Sequence, residues 1–475
     1  MTTQATDGYN LLPFRFARLS GGRAILTNMA GQHLVADRAD VDRLANHQIG
    51  ASQPLYKELK AHHFLYDQAS DVALEMLAAE VRTRLAAVKE FTGLHMFVVT
   101  LRCDSKCVYC HASHAGHHDG GRDMDANVCE HAVAAMLKTP NPSVKVEFQG
   151  GEPLLNFEAI KHIVAETEAK RGDKDVDYIV TTNLYNLTDE HLQFIADHDV
   201  GVSTSLDGPA DLHNANRPRG AGDAHAKAVR GIEACRDTVG PRGVSALMTT
   251  TRQSLSRGPD IVDEYVRRGF HSIFLRPLNP FGLARAGWKE IGYSAEEFVG
   301  FYVTTLDYIV EMNRRGYQLM EQYAAIILKK MLTCKPCGYV DLASPAAIGI
   351  GGIIYNYDGR VFGSDEGRML AACGDTRFLM GDLRSDTYEE LFTKSDLLDV
   401  IWRTMCEGVP GCCDCAFQPW CGAAPVFHYA TQCDVVGHKP TSEFCRRNMA
   451  IMTYLVELME ANAEIQQLFE RWAQV

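Results

Sequence analysis

HMFVVTLRCDSKCVYC (residues 95–110) and SVKVEFQGGEP (143–153) share one plan: a short run rich in apolar and β-branched residues, then a turn carrying the unusual residues. Cys103, Cys107 and Cys110 follow the first run; Gly150, Gly151, Glu152 and Pro153 end the second. DYIVTTN (177–183), VGVSTSLDG (200–208), GVSALMTTT (243–251) and SIFLRPL (272–278) continue the series. Helical periodicity fills 125–138, 156–170, 188–197, 223–236 and 256–269 between them. Six strands alternating with helices imply a parallel sheet, either an open doubly wound sheet or an incomplete (β/α) barrel. In both, function collects at the C-terminal strand ends. The cysteines, GGEP, TTN and SLDG all stand there.

Outside this core, residues 1–90 predict a small separate unit. It has strands over 11–19 and 22–36, helices over 37–48 and 55–65, with Asp37 or Asp40 as N-cap, and a connecting helix over 71–90. That helix carries Leu74, Leu77, Val81 and Leu85 on one side. The core spans 91–290 and a bridging region 291–399, helical over 294–333 and irregular or hairpin-like over 338–382, with an Asp358-Gly359 turn. Residues 400–475 hold a second cysteine group and a helix over 446–472.

The chain has 475 residues, 46% hydrophobic and 23% charged, with a formal net charge of −13. No basic block offsets that charge, which argues against a nucleic-acid partner. A basic peptide is easier to accommodate. Met1 to Asn10 are polar, and no stretch approaches the roughly 20 apolar residues of a membrane span. The expectation is a cytoplasmic protein with no membrane partner. Fifteen cysteines in such a setting read as metal ligands or redox groups.

Three thiolates from Cys103, Cys107 and Cys110 can hold three irons of a 4Fe–4S cluster and leave the fourth open. S-adenosylmethionine (SAM) can chelate that iron, and an electron from the cluster then cleaves it to a 5′-deoxyadenosyl radical. The protein's task is to aim the radical at one substrate hydrogen. Zinc competes for the same residues, because His111, His114, His117 and His118 follow and Cys₃His is a zinc set. Gly150-Gly151-Glu152-Pro153 at the next strand end weakens zinc. Its glycines let a ligand approach the backbone, and Glu152 can accept from an ammonium group.

CDSKCVYC followed by GGEP resembles the radical SAM superfamily over about 95–285. The resemblance implies a partial (β/α)6 barrel of TIM type, with Cys103, Cys107 and Cys110 on the cluster and Tyr109 near the adenine. It places Gly150, Gly151 and Glu152 at the SAM amino group, Thr182, Asn183, Ser205 and Asp207 where the family contacts SAM, and Arg217 at its carboxylate. Asn183 and Asp207 fit strand-end capping equally well. Arg276 fits either a ligand contact or an ion pair.

Cys412, Cys415, Cys421 and Cys445 form the second group, which taken alone suits zinc or a closed cluster. In context it resembles the SPASM extension of peptide-modifying radical SAM enzymes, which implies an auxiliary 4Fe–4S cluster. Pro425 and Ser364 stand where that pattern usually has cysteines, so a further auxiliary cluster is doubtful. Cys334, Cys337 and Cys373 read as ordinary thiols, Cys129 and Cys235 as core residues, and Cys406 or Cys433 as substitutes for Cys445. LLPFRF (11–16), ILTNMAG (25–31), YNYDGRVFGSDEGRML (355–370) and CAFQPWCGAAPV (415–426) resemble the maturase of His-Xaa-Ser systems. That resemblance implies a ribosomally made peptide substrate, a second radical SAM maturase as partner, and a flavodoxin or ferredoxin as electron donor.

The N-terminal unit is similar to winged-helix peptide-recognition elements, which bind a leader by β-augmentation; a cap on the barrel is the equal alternative. Two other functions stay open: a sulfatase-type maturase oxidising Cys or Ser, and a metal-cluster binding protein without catalysis. Tyr185, Asp207 and Tyr355 are candidate proton donors.

Overall fold

The computed structural model describes residues 8–67, 72–112, 114–333, 335 and 337–475. Chain order begins with β1 (Tyr9–Leu11), β2 (Phe14–Arg18), β3 (Arg23–Asn28) and β4 (His33–Asp37). Helices Arg38–Ala45 and Pro54–Ala61 follow, then β5 (Leu65–Asp67). β2, β3 and β4 form an antiparallel sheet in that order, and β1 pairs with β5. Tyr9, Leu26, Val41, Leu44, Leu59 and Phe64 give this unit its own small core. The helix over 72–85 differs from expectation. Leu77 is buried against Leu12 and Ala30, but Leu74 and Leu85 are exposed, because the small unit is too short to cover the whole stripe.

The central sheet uses β6 (Leu94–Thr100), β7 (Ser143–Gly150), β8 (Asp175–Thr181), β9 (Gly201–Ser205) and β10 (Val244–Thr249). The sixth expected strand is split at Phe274 into β11 (Ser272–Ile273) and β12 (Leu275–Arg276). β13 (Met320–Glu321), β14 (Gly352–Tyr355), β15 (Arg360–Phe362) and β16 (Leu379–Asp382) come later. The sheet order is β12-β10-β9-β8-β7-β6-β14-β15-β16, parallel as far as β14. All five expected crossover helices are present, at 126–136, 157–170, 189–197, 224–239 and 258–267. Asp125 caps the first through the Val128 amide, and Thr188 caps the third in a capping box with His191. This is the expected partial barrel, with β14 added as a seventh parallel strand. The Asp358-Gly359 hairpin between β14 and β15 is where the sequence places it.

Alternation along β7 positions the site. Val146 and Phe148 join the main core, while Glu147 and Gln149 on the other face line an interior cavity. At the C-terminus the single helix expected over 446–472 is two, Glu443–Ala461 and Ala463–Trp472. Asn462 interrupts them with extended backbone, and its side chain accepts from the amides of Glu464 and Ile465. The helix Ala295–Arg314 packs along Glu443–Ala461.

The N-terminal unit docks on the second cysteine region. Arg15 donates to the Cys413 carbonyl, and the Trp420 indole donates to the Gly31 carbonyl at 3.2 Å. Among the described residues, no helix is long and apolar enough to cross a membrane.

Candidate functional site

The cysteine loop leaves β6 and is clamped from both sides. Cys103 donates its amide to Ala115 at 3.3 Å, and Cys110 donates to Cys107 at 3.1 Å. From the end of β7, Gly151 donates to Thr100 at 2.8 Å and Glu152 to Arg102 at 2.7 Å. A Cβ on Gly150 would stand 1.9 Å from the Thr100 carbonyl oxygen, and one on Gly151 2.2 Å from that of Arg102. The glycines are therefore required by the chain's own backbone, whatever they also offer a ligand.

Glu152 is buried and already holds three donors. Thr182 Oγ1 and the Leu154 amide reach Oε1 at 2.6 and 3.2 Å, and the Asn183 amide reaches Oε2 at 2.8 Å. Burial nevertheless lifts its pKa to about 7. The side chain is first a strut between β7 and β8, with one acceptor site left for a ligand. Pro153 starts the short 3₁₀ turn that follows.

A second strut escaped sequence reading. Asp104, beside Cys103, accepts from Asn183 Nδ2 at 2.7 Å, Asn186 Nδ2 at 2.7 Å and Arg219 at 3.0 Å. Asn183 thus fixes the cysteine loop to the end of β8. Asp207 plays a similar part beyond β9. Its Oδ2 accepts from Tyr109 at 2.6 Å and from Arg217 Nε at 3.1 Å, and its Oδ1 from the Thr249 amide at 3.2 Å. Arg217 also lies over the Tyr109 ring, 5.3 Å from its centroid. Ser205 ends β9.

Burial pushes the Cys107 thiol up to about 11 and Cys103 further still. At Cys110 burial acts in the same sense, but hydrogen bonding from His114 outweighs it and leaves that thiol below its usual value. Iron binding must therefore displace thiol protons, against a resistance that burial raises at Cys103 and Cys107. Of the four histidines, His114 reaches the cysteines, while His117 and His118 are exposed. Among the described residues, no three His, Cys, Asp or Glu side chains stand close enough to grip one metal ion. A single zinc needs its thiolates at about 2.3 Å.

In the second group, Cys412, Cys415 and Cys421 lie on a tight loop, where Cys415 donates its amide to Cys412 at 3.0 Å and Cys421 to Phe417 at 3.1 Å. Cys445 stands in the first turn of helix Glu443–Ala461. Burial lifts Cys421 to about 12 and Cys445 to about 11, with neighbouring thiols adding to both. Cys406 and Cys413 are further thiols here, and Cys406 reaches Cys412. Its hydrogen bond to Cys412 lowers the latter to about 7. Lys330 braces the loop by donating to the carbonyls of Leu342 and Cys421. Cys433 and Cys373 are exposed, Cys129 and Cys235 are buried, and Cys334 lies outside the described residues. The donor set at each site suits iron–sulfur chemistry.

Between the barrel and this region lies a cavity of about 300 Å³. Phe274, Tyr323, Tyr339 and Phe427 give it aromatic walls. Its polar groups are Glu147, Gln149, Arg276, Asp341, Asp365, Glu366 and Arg447. Most of these were missed in the sequence; the available signal was Glu147 and Gln149 at alternate positions of a strand otherwise rich in Val and Phe. Tyr355 does not face the cavity, since its hydroxyl lies 3.0 Å from His95 Nδ1 in the packed core. Tyr185 is buried under Arg219.

Burial, with Asp341 and Asp365 beside it, raises Glu366 to about 7. A carboxyl raised above its unfolded value of about 4.3 stabilises the fold at low pH, and this is lost as pH rises through the folded value. Glu366→Gln should therefore gain in melting temperature relative to wild type between about pH 5 and pH 8. A difference that stays constant across that range would show Glu366 ionised in the fold throughout.

Residues 97–257 match the Radical SAM superfamily. An uncharacterized protein of Methanocaldococcus jannaschii is 27% identical over 183 residues, 38% of this chain and 61% of that protein. A cysteine-type anaerobic sulfatase-maturating enzyme of Clostridium perfringens is 28% identical over 137 residues, 28% of this chain and 37% of the enzyme. The structure anSMEcpe with bound AdoMet superposes with a TM-score of 0.64 at 17% identity, covering 80% of this chain and 99% of that one. Streptococcus suis SuiB bound to precursor peptide SuiA superposes with a TM-score of 0.53 at 15% identity, covering 91% and 98%. The radical SAM match is confined to residues 97–257, and the fold is shared with anSMEcpe and SuiB.

Proposed function

We propose that this radical SAM domain serves a peptide maturase, which modifies a ribosomally made peptide. The observation that carries this reading is the position of the cavity, lined by barrel strands on one side and by Ala424 to Phe427, Phe444 and Arg447, next to the second cysteine group, on the other. Cys103, Cys107 and Cys110 would hold a 4Fe–4S cluster with one open iron, and Cys412, Cys415, Cys421 and Cys445 an auxiliary one. With SAM bound, the first cluster would supply a 5′-deoxyadenosyl radical for hydrogen abstraction. The chain's own contribution is placement. Asp104 and the Gly150-Gly151 pair fix the cysteine loop, Asp207 orients Tyr109 and Arg217, and the aromatic walls exclude water. The terminal nitrogens of Arg217, without a partner among the described residues, are available to a SAM carboxylate. Thr182, Asn183 and Ser205 border the same strand ends.

Within this reading we place the chain in a His-Xaa-Ser type system, with a second radical SAM maturase and a flavodoxin or ferredoxin as partners. Coexpression with the peptide encoded beside this gene, followed by mass spectrometry, tests it. A mass change that needs this enzyme supports the proposal, and an unmodified peptide contradicts it. The sulfatase-type reading is favoured by the higher structural likeness to anSMEcpe. It predicts instead oxidation of a Cys or Ser in a sulfatase peptide.

Among the described residues β2 and β4 are the outer strands of the N-terminal sheet and pair with no further strand, the arrangement that β-augmentation needs. Asn28 donates to Gln32 at 3.0 Å, so ladder alternation turns the Val35 amide outward. Val35→Pro removes that donor and spares the β3–β4 bonds. It should weaken binding of the labelled precursor peptide about tenfold, as loss of one hydrogen bond does. Phe16→Pro makes the same test on β2. Unchanged affinity in both variants would assign the unit to capping. Deleting residues 1–90 is a poorer test, because it strips Trp420 of its Gly31 partner.

A further inference from the structure

Arg447 is a buried cation with no carboxylate partner among the described residues. Its residue is 8% exposed, in helix Glu443–Ala461. The guanidinium sits between the rings of Phe298 and Phe444, 5.9 and 5.7 Å from their centroids. Its Nε is enclosed with no hydrogen-bond partner, and the side chain lines the cavity. Buried Arg368 is paired with Asp365 at 3.3 Å and half-buried Arg217 with Asp207 at 3.1 Å, while Arg15, as buried as Arg447, gives its Nε to the Cys413 carbonyl outside this cavity.

Three of the cavity's acids are engaged elsewhere. Asp365 holds Arg368, Asp341 accepts from the Tyr339 hydroxyl at 2.9 Å, and Glu147 accepts from Thr181 at 3.0 Å. Arg276 stands in the field of Asp341, Asp365 and Glu366. The phenols beside Arg447 are also used, Tyr323 donating to Asn448 at 2.7 Å and Tyr293 to the Thr250 carbonyl at 3.3 Å. A second donor in the same cavity, Gln149 Nε2, is enclosed and unpartnered too. Cation–π contact covers the faces of the Arg447 guanidinium and leaves its N–H edge unsatisfied. A charge buried in this way is costly unless a ligand supplies the anion.

We propose that Arg447 receives a carboxylate of the substrate, from an acidic side chain or a free chain end, with Gln149 as a further donor in the cavity. This rests on the reading of the cavity as the substrate site. It makes the substrate segment acidic at one point, although the opposite end of the cavity is itself acidic.

The test uses the full-length, anaerobically reconstituted protein without SAM. N-acetylglutamate N-methylamide, the matching glutamine compound and N-acetylglycine are titrated at low salt and followed by saturation-transfer NMR. The glutamate compound should bind at least about tenfold tighter than the glutamine compound, the worth of one charge-assisted pair. Arg447→Gln should erase that ratio, and Arg447→Lys should keep part of it. Binding of N-acetylglycine assigns the site to a chain end as well. Equal affinity of the glutamate and glutamine compounds in wild type overturns the proposal, as does a preference that survives Arg447→Gln or no binding of any probe. The wild-type ratio alone decides the matter if the variants misfold. A wild-type protein that prefers the carboxylate but releases no 5′-deoxyadenosine with SAM and dithionite would retain this inference while losing the radical reading.

Discussion

Replacing Cys103, Cys107 and Cys110 together by alanine abolishes 5′-deoxyadenosine release and removes about four of about eight irons. The loss is complete because these are the only thiols the chain brings to the C-terminal ends of β6 and β7 among the described residues. The proposed auxiliary cluster of the second cysteine group should be retained, because its thiols lie on other elements. Iron analysis with electron paramagnetic resonance separates the two sites. SAM cleavage that survives the triple change would move the active iron elsewhere.

Gly150→Ala is the second large effect. The new Cβ would stand 1.9 Å from the Thr100 carbonyl oxygen, with backbone on both sides of the overlap, and Gly150 has φ +147. No side-chain rotation relieves that contact, so the end of β7 must part from the cysteine loop. We expect a stability loss of about 3 kcal/mol or more, together with failure to retain the first cluster. Gly300→Ala is the control. Gly300 lies in helix Ala295–Arg314 with open space where its Cβ would go, so this change should be neutral or stabilise by up to about 1 kcal/mol. Paired chemical denaturation and iron titration check both. A Gly150→Ala protein that matches wild type in both would mean the backbone approach is not needed.

Much of the fold was legible in the sequence because the signals are local. Runs such as SVKVEFQG and DYIVTTN alternate with helical stretches, and each crossover helix appears where its periodicity predicts. β14 was harder, since GIIY is only four residues long and its partner β6 lies more than 250 residues earlier. The break at Asn462 hid for a related reason, because the apolar stripe runs through it while one side chain caps the next helix. At the site, the cysteines and GGEP announce themselves by residue type. Asp104, Glu366 and Arg447 do not. Asp104 matters because Asn183, Asn186 and Arg219 converge on it from other segments, and Arg447 because it lacks the partner that such a buried residue normally has.

One measurement bears most directly on the central claim. Anaerobically reconstituted wild-type protein, reduced with dithionite and given SAM, should release 5′-deoxyadenosine and carry about eight irons. Zinc in both cysteine sites, with no iron uptake and no cleavage of SAM, would contradict it.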